Sequence, residues 1–299
     1  MADHASAVAE CPIDVRSVGV AVHRVRAAGW LPGDDWLAVE EPLEIRIEHG
    51  PRASRRRSSI SVTMRTPGAD VELAVGFLFA EGLIRRGDDI LHSAHCGPPA
   101  GPLAIQNMVR VDLAPDVAVD AKRIERNFLS NSSCGLCGKA SLEAIPRAPH
   151  LAPDRRCAIS ATLIHALPDV LRRTQAVFDR TGGLHAAALF DCEGRLLDVH
   201  EDIGRHNAVD KLIGAQVLAR TTPLSNHLML VSGRAGYELV QKALMAGIPI
   251  LAAVGAPSSL AADVARDANM TLLGFVRDGR FNIYSGAQRI ACSTQAAQP

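Results

Sequence analysis

From residue 228 onward the chain alternates short apolar runs with glycine-bearing turns and helical stretches, and this alternation limits the fold more than any other feature. Residues 228–231, 249–254 and 270–275 are the apolar runs, 232–236 and 255–258 the turns, and 237–246 and 259–269 the helical stretches. Strands this apolar must be covered on both faces. Intervening helices join such strands through right-handed crossovers into a parallel sheet. The C-terminal part, residues 155–292, is therefore expected to be an α/β domain. Just upstream, helical patterning over 160–180 is interrupted at Pro168 and stopped at Gly182 and Gly183, and residues 185–190 and 195–199 flank a tight turn as a hairpin. The hairpin leads into His200-Glu-Asp-Ile-Gly-Arg-His-Asn207, after which residues 207–218 carry an amphipathic helical pattern.

The first half reads differently. Residues 43–48, 60–65 and 107–113 alternate apolar and polar side chains, as half-buried strands do. Between them, residues 71–84 are apolar around most of a helix, which implies burial, and Asp70 is placed to cap it. Arg55, Arg56 and Arg57 read as a solvated loop, and His92, His95 and Cys96 as a loop before Gly97-Pro98-Pro99. Residues 36–125 then form a smaller β-rich N-terminal domain. Residues 1–35 are a loosely ordered lead-in in which 18–25 could be an edge strand.

Equal counts of 32 basic and 32 acidic residues remove the bulk-charge argument for a nucleic-acid partner. No apolar run approaches the roughly 20 residues that a membrane helix needs. An odd cysteine count with one close pair is no disulfide framework, so the expected location is a reducing cytoplasm. That close pair is Cys134-Gly-Leu-Cys137, preceded by a polar run and followed by Lys139. A thiol becomes acidic beside a cation or a helix N-terminus, and both are available here. Residues 126–154 thus read as a mobile arm and linker. Three chemistries remain open for it: half of a zinc site, a redox pair, or a sulfur relay.

In open α/β sheets ligands sit beyond the carboxyl ends of the strands. Three clusters fall there, each pairing glycine with arginine: His200–Asn207 with Arg205 and His206, Ser232-Gly233-Arg234, and Arg277-Asp278-Gly279-Arg280. Guanidinium groups beside bare backbone suit a phosphorylated ligand such as a nucleotide. A zinc-deaminase reading fails on order, since the Cys-x-x-Cys precedes His200 and Glu201 instead of following them.

Taken together, Ser132-Ser-Cys-Gly-Leu-Cys-Gly-Lys139, Thr181-Gly-Gly-Leu-His-Ala-Ala187, Asp198-Val-His-Glu-Asp-Ile-Gly-Arg-His-Asn-Ala-Val-Asp-Lys211, Ser232-Gly-Arg234 and Asn282-Ile-Tyr-Ser-Gly286 resemble the FdhD family of sulfur carriers required for formate dehydrogenase activity. The resemblance runs from about residue 41 to 290. It implies a cytidine deaminase-like three-layer α/β fold without the deaminase zinc or any other permanently bound metal. It also implies a sulfurtransferase that takes persulfide sulfur from a cysteine desulfurase and passes it to Mo-bis(molybdopterin guanine dinucleotide), bound as a substrate, for a molybdenum-dependent formate dehydrogenase. By that similarity Cys134 carries the persulfide with Cys137 as its partner, and Phe275, Val276, Arg277, Asp278, Gly279 and Arg280 contact the cofactor. A cofactor-insertion chaperone that moves no sulfur is the alternative. The oligomeric state stays open, with a homodimer among the states allowed.

Overall fold

A computed structural model describes residues 14–27, 29–119 and 157–291. The described residues open with a hairpin, β1 (Ser17–Arg26) and β2 (Gly29–Ala38), paired along all ten residues of each strand. From residue 17 onward this corrects the loose lead-in expected over 1–35, where only an edge strand at 18–25 was foreseen; residues 1–13 lie outside the described residues. Strands β3 (Glu41–His49), β4 (Arg56–Arg65), β5 (Ile90–His95) and β6 (Met108–Leu113) form a sheet of order β4-β3-β6-β5, in which only β3 and β6 are parallel. Helix α1 (Asp70–Ala80) lies in the connection between β4 and β5.

After β7 (Ile159–Ser160) come α2 (Ala161–Thr174), α3 (Ala176–Thr181), β8 (His185–Asp191), β9 (Leu196–Asp202) and α4 (Arg205–Leu218). The remainder runs β10 (His227–Val231), α5 (Tyr237–Met245), β11 (Ile250–Ala253), α6 (Ser259–Asp267), β12 (Thr271–Arg277), β13 (Arg280–Ser285) and β14 (Ile290–Ala291). Six of these strands make one sheet of order β13-β12-β11-β10-β8-β9. The fold class is α/β, as expected. Only β10, β11 and β12 are mutually parallel, while β8 and β13 run against their neighbours.

Alternation along the strands sends side chains to two cores. Ala186, Ala188, Phe190, Leu228, Leu230, Ile250 and Leu273 meet Ile164, Leu167 and Leu171 of α2. Ala187, Leu189, Met229, Val231, Leu251 and Leu272 face α4, α5 and α6 instead, and that second core continues through α1 into Leu43, Ile45, Ile47, Val109 and Val111 of the other sheet. A helical layer is thus shared by both sheets. The boundary drawn at 126–154, with the mobile arm, lies outside the described residues.

The sharing explains why α4 departs from the expected amphipathic pattern. Sheet and α1 both press on it, and His206 to Gly214 are all buried. α1 approaches so closely that a Cβ on Gly76 would stand 1.9 Å from the Asp210 carbonyl oxygen, and one on Gly214 1.8 Å from that of Glu72. Glycine is required at both crossing points because no side-chain carbon fits between two backbones at that distance.

Four local expectations also change. Asp70 caps nothing: Ala69 is the N-cap, and the Asp70 carboxylate is buried against Arg65, which donates to it from Nε and Nη2 at 2.9 and 2.8 Å. His95 lies on β5 and not in a loop, its Nε2 3.0 Å from the same carboxylate. Helix α2 runs through Pro168, because its buried stripe of Ile164, Leu167 and Leu171 holds it on the sheet, and breaks at Gln175. Cys157 and Cys192, scattered in sequence, are disulfide-bonded across 35 residues. The β8–β9 turn packs against the start of α2, where Gly194 lies beside Leu163, and so stands next to the entry to β7, a proximity no sequence spacing reveals.

Candidate functional site

The sequence motif around residues 198–211 divides into a joint and a pocket wall. Glu201 accepts from the backbone amides of Val177 and Phe178 at the start of α3, at 3.3 and 3.1 Å. Burial raises its carboxyl pKa, partly offset by those two donors. Asp202 is fully buried, 2.7 Å from Lys211 Nζ, and accepts from the amides of Thr66 and Gly204. Lys211 also donates to the Thr66 carbonyl at 2.8 Å, and Asn207 Nδ2 to the Met64 carbonyl at 2.7 Å. These polar residues clamp the end of β4 to α4. A buried charge is tolerated only when paired in this way.

His206, expected at the ligand, sits in the same interior. Its Nε2 lies 3.1 Å from Glu238 Oε2, and burial, reinforced by Lys242, Arg205 and His185, pulls its pKa down to about 3. The ring is therefore neutral and donates Nε2–H to the carboxylate. Nearby, Asp210 is held against Lys242 at 2.6 Å, and burial pushes its pKa up to about 6.

Arg205 is one residue earlier and faces a pocket of about 310 Å³ lined by His185, Arg205, Ser232, Gly233, Arg234, Val254, Gly255 and Arg277. Two loops and the end of β12 meet in its wall through their backbones. Gly255 N–H donates to the Gly233 carbonyl, and Phe275 N–H to the Gly255 carbonyl, both at 3.0 Å. A Cβ on Gly255 would stand 3.0 Å from the Gly233 oxygen, so glycine keeps this seam closed. Helix α4 begins at the lining residue Arg205, with no side-chain cap on its Gly204 N-cap, so the positive end of the helix dipole lies beside the pocket. Arg205 Nε is buried and has no hydrogen-bond partner among the described residues. Three guanidinium groups, no carboxylate in the lining and one unsatisfied donor have the chemistry that suits an anion.

Of the residues expected to bind, Arg205, Ser232, Gly233, Arg234 and Arg277 come together here. Ser232 is tied to the sheet as well, its hydroxyl accepting from Ala186 N at 2.9 Å. Phe275 holds a positive φ of 56° beside the pocket, with Arg277 5.8 Å from its ring. Val276 points the other way, fully buried in the α2-side core. Asp278 and Gly279 form the exposed turn into β13, and Arg280 pairs with Arg277 across it without lining the pocket. His185, Val254 and Gly255 escaped the sequence reading. His185 starts a strand antiparallel to β10, so its first residue falls at the end where the parallel strands finish. Burial, then Arg205, lowers the His185 pKa, keeping the ring neutral. Arg55, from the supposed solvated tip, donates to the carbonyls of Gly50, Glu48 and Leu113 and is structural. Cys134 and Cys137 lie outside the described residues.

The model of the FdhD/NarQ family matches residues 38–291. The chain belongs to that family. A relative from Streptomyces avermitilis, named sulfur carrier protein FdhD, is 48% identical over 280 residues, covering 93% of this chain and 96% of its own. One of the same name from Mycobacterium tuberculosis is 50% identical over 259 residues, covering 85% and 91%. A crystal structure from Desulfotalea psychrophila, described as a formate dehydrogenase accessory protein, superposes with a TM-score of 0.72 at 26% identity over 92% of this chain and 100% of that one. No helix among the described residues is long and apolar enough to cross a membrane.

Proposed function

We propose that this member of the FdhD/NarQ family is a cytoplasmic sulfurtransferase that serves formate dehydrogenase, carrying sulfur on Cys134 and delivering it to a bis-molybdopterin guanine dinucleotide held at the strand-end pocket. The observation that supports the pocket's part is the convergence of Arg205, Arg234 and Arg277 on an uncapped helix start, with Arg205 Nε left for a ligand oxygen. Guanine dinucleotides present a pyrophosphate. Forked guanidinium groups match its paired oxygens, and the neutral His185 adds a hydrogen-bonding edge without charge.

In the loading step the Cys134 thiolate attacks the outer sulfur of a persulfide on a cysteine desulfurase. A new S–S bond forms on Cys134, the desulfurase S–S bond breaks, and its cysteine leaves as thiolate, so no net oxidation occurs. Lys139, two residues after Cys137, favours the attacking thiolate. The carried sulfur is then passed to the cofactor, with Cys137 assisting, and the client is a molybdenum-dependent formate dehydrogenase.

Two experiments separate the parts of this reading. With a desulfurase and ³⁵S-cysteine, wild-type protein should acquire label that a reducing agent releases, and Cys134→Ala should acquire none. Label on Cys134→Ala equal to wild type would refute the carrier assignment, and an unlabelled wild type that still binds the cofactor would favour an insertion chaperone. In calorimetry with GDP, Arg205→Ala, Arg234→Ala and Arg277→Ala should each lose about 1.5 to 3 kcal/mol, the usual worth of a charge-assisted hydrogen bond. Unchanged affinity in all three would remove the phosphate from this pocket.

A further inference from the structure

Strand β12 changes phase just before it reaches the pocket. Alternation sends Leu272 to the core shared with α4, α5 and α6, and Leu273 to the α2-side core. Gly274 keeps this order. A Cβ there would stand 2.6 Å from Pro257 Cδ and 2.9 Å from the Tyr284 ring, and Tyr284 packs on the same core as Leu272. By regular alternation Val276 would share that side with Leu272 and Gly274. Instead it is fully buried in the α2-side core with Leu273. Arg277 is turned the other way in consequence, and it lines the pocket with Arg205 and Arg234.

The break falls at Phe275. Its φ of 56° lies in the left-handed region, which a bulky side chain enters only at a cost. Pairing with β13 shifts at the same place. Gly274 pairs with Asn282 and Arg277 with Arg280, so Phe275 and Val276 together oppose the single residue Phe281. Such a bulge re-aims the side chains that follow it. Backbone hydrogen bonds tie it to the pocket seam, from Phe275 N–H to the Gly255 carbonyl and from Gly255 N–H to the Gly233 carbonyl, both at 3.0 Å. The Phe275 side chain is only half-buried and belongs to neither core.

We infer that Phe275 is a positioning residue: its left-handed backbone inverts the phase of β12, which buries Val276 and turns the Arg277 guanidinium to the ligand. An unbroken strand would set Arg277 towards the apolar α2-side core, where an unpaired guanidinium is costly, and Val276 on the opposite side. The role lies in the backbone at 275 and not in the aromatic ring. It rests on the reading of the pocket as a phosphate site.

Substitutions at this one position separate backbone from ring. Phe275→Gly and Phe275→Asn lose the ring and accept a positive φ, whereas the β-branched Phe275→Val does not. In calorimetry with GDP the first two should bind within about threefold of wild type, and Phe275→Val should be weaker by about tenfold or more, as weak as Arg277→Ala. Adding Arg277→Ala to Phe275→Val should cost nothing further, because each removes the same guanidinium from the pocket. Thermal melting supplies a readout without ligand: Phe275→Gly and Phe275→Asn should melt above Phe275→Ala, which loses the same ring but keeps the penalised Cβ. Glycine and asparagine variants as weak as Arg277→Ala would make the ring the ligand contact and overturn the proposal. So would a valine variant that binds like wild type, or an alanine variant as stable as the glycine one. If wild type binds no GDP, the reading of the pocket falls together with this proposal, whereas GDP binding indifferent to residue 275 overturns the proposal alone.

Discussion

Replacing Gly214 by alanine sets two effects of opposite sign against each other. In an exposed helix interior the change would stabilise by about 1 kcal/mol through backbone entropy. Here the added carbon would stand 1.8 Å from the Glu72 carbonyl oxygen and 2.7 Å from Gly76 N. Real contacts of this kind do not fall below 3.0 Å, so α1 and α4 must part by roughly 1 Å, a gap at which dispersion contacts lose a quarter to a half of their strength. The residues that loosen, among them Leu73, Leu78, Val209, Leu212 and Ile213, are buried. Overpacking of this sort costs typically 1 to 3 kcal/mol, and two rigid backbones put it at the upper end, about 3 kcal/mol. The net expectation is destabilisation by about 2 kcal/mol, read as a lower urea midpoint with unchanged m. Gly76→Ala should do the same, since its carbon would stand 1.9 Å from Asp210 O. The double variant should cost less than the sum, because one separation relieves both clashes. GDP affinity should fall as well, as Arg205 leads the displaced helix. If either single variant is as stable as wild type, the close crossing of these helices is wrong.

Acid should unfold the protein partly through His206. Its folded pKa of about 3 lies below the unfolded 6.5, so its contribution is present above about pH 6.5 and is lost as pH falls towards 3. Wild type should therefore lose about 2 kcal/mol more than His206→Gln between pH 7 and 5, at 1.36 kcal/mol per unit below the unfolded pKa; parallel urea profiles would exclude this. Asp210 acts with the opposite sign: its folded pKa of about 6 is above the ordinary 3.8, so its contribution is full below about pH 3.8 and is lost as pH rises through 6. Asp210→Asn should accordingly flatten that part of the curve. Cys192→Ser opens a link across 35 residues, for which chain entropy gives about 4 kcal/mol, or a Tm lower by roughly 10 °C. A dithiol should lower wild type equally and leave the variant unmoved, and insensitivity of wild type would mean that the bond does not form. Ser232→Ala should cost about 1 kcal/mol of stability through Ala186 N with GDP affinity retained, and the reverse pattern would make the hydroxyl a ligand contact.

Periodicity was enough to predict β3, β4, β6, the strands and helices from β8 through β13, and the arginine–glycine turns at their ends, because burial on one or both faces writes itself into the order of apolar residues. The resemblance that led to the family was likewise legible, and so was the α/β class. What local pattern does not carry is which faces meet. Asp202, Asn207 and Lys211 look like chemistry in a row of polar letters, yet their partners are Thr66 and Met64, some 140 residues away, and only Arg205 of that stretch reaches the pocket. The α4 pattern reads as one-sided until α1 closes its second side, Cys157 finds Cys192 only because the β8–β9 turn packs against the start of α2, and His185 joins the site because β8 runs against its neighbours. Sequence fixes each element through interactions within a few residues of the chain. Long-range contacts decide which polar groups are buried as scaffold and which are left facing an open pocket, since that depends on which other elements cover them.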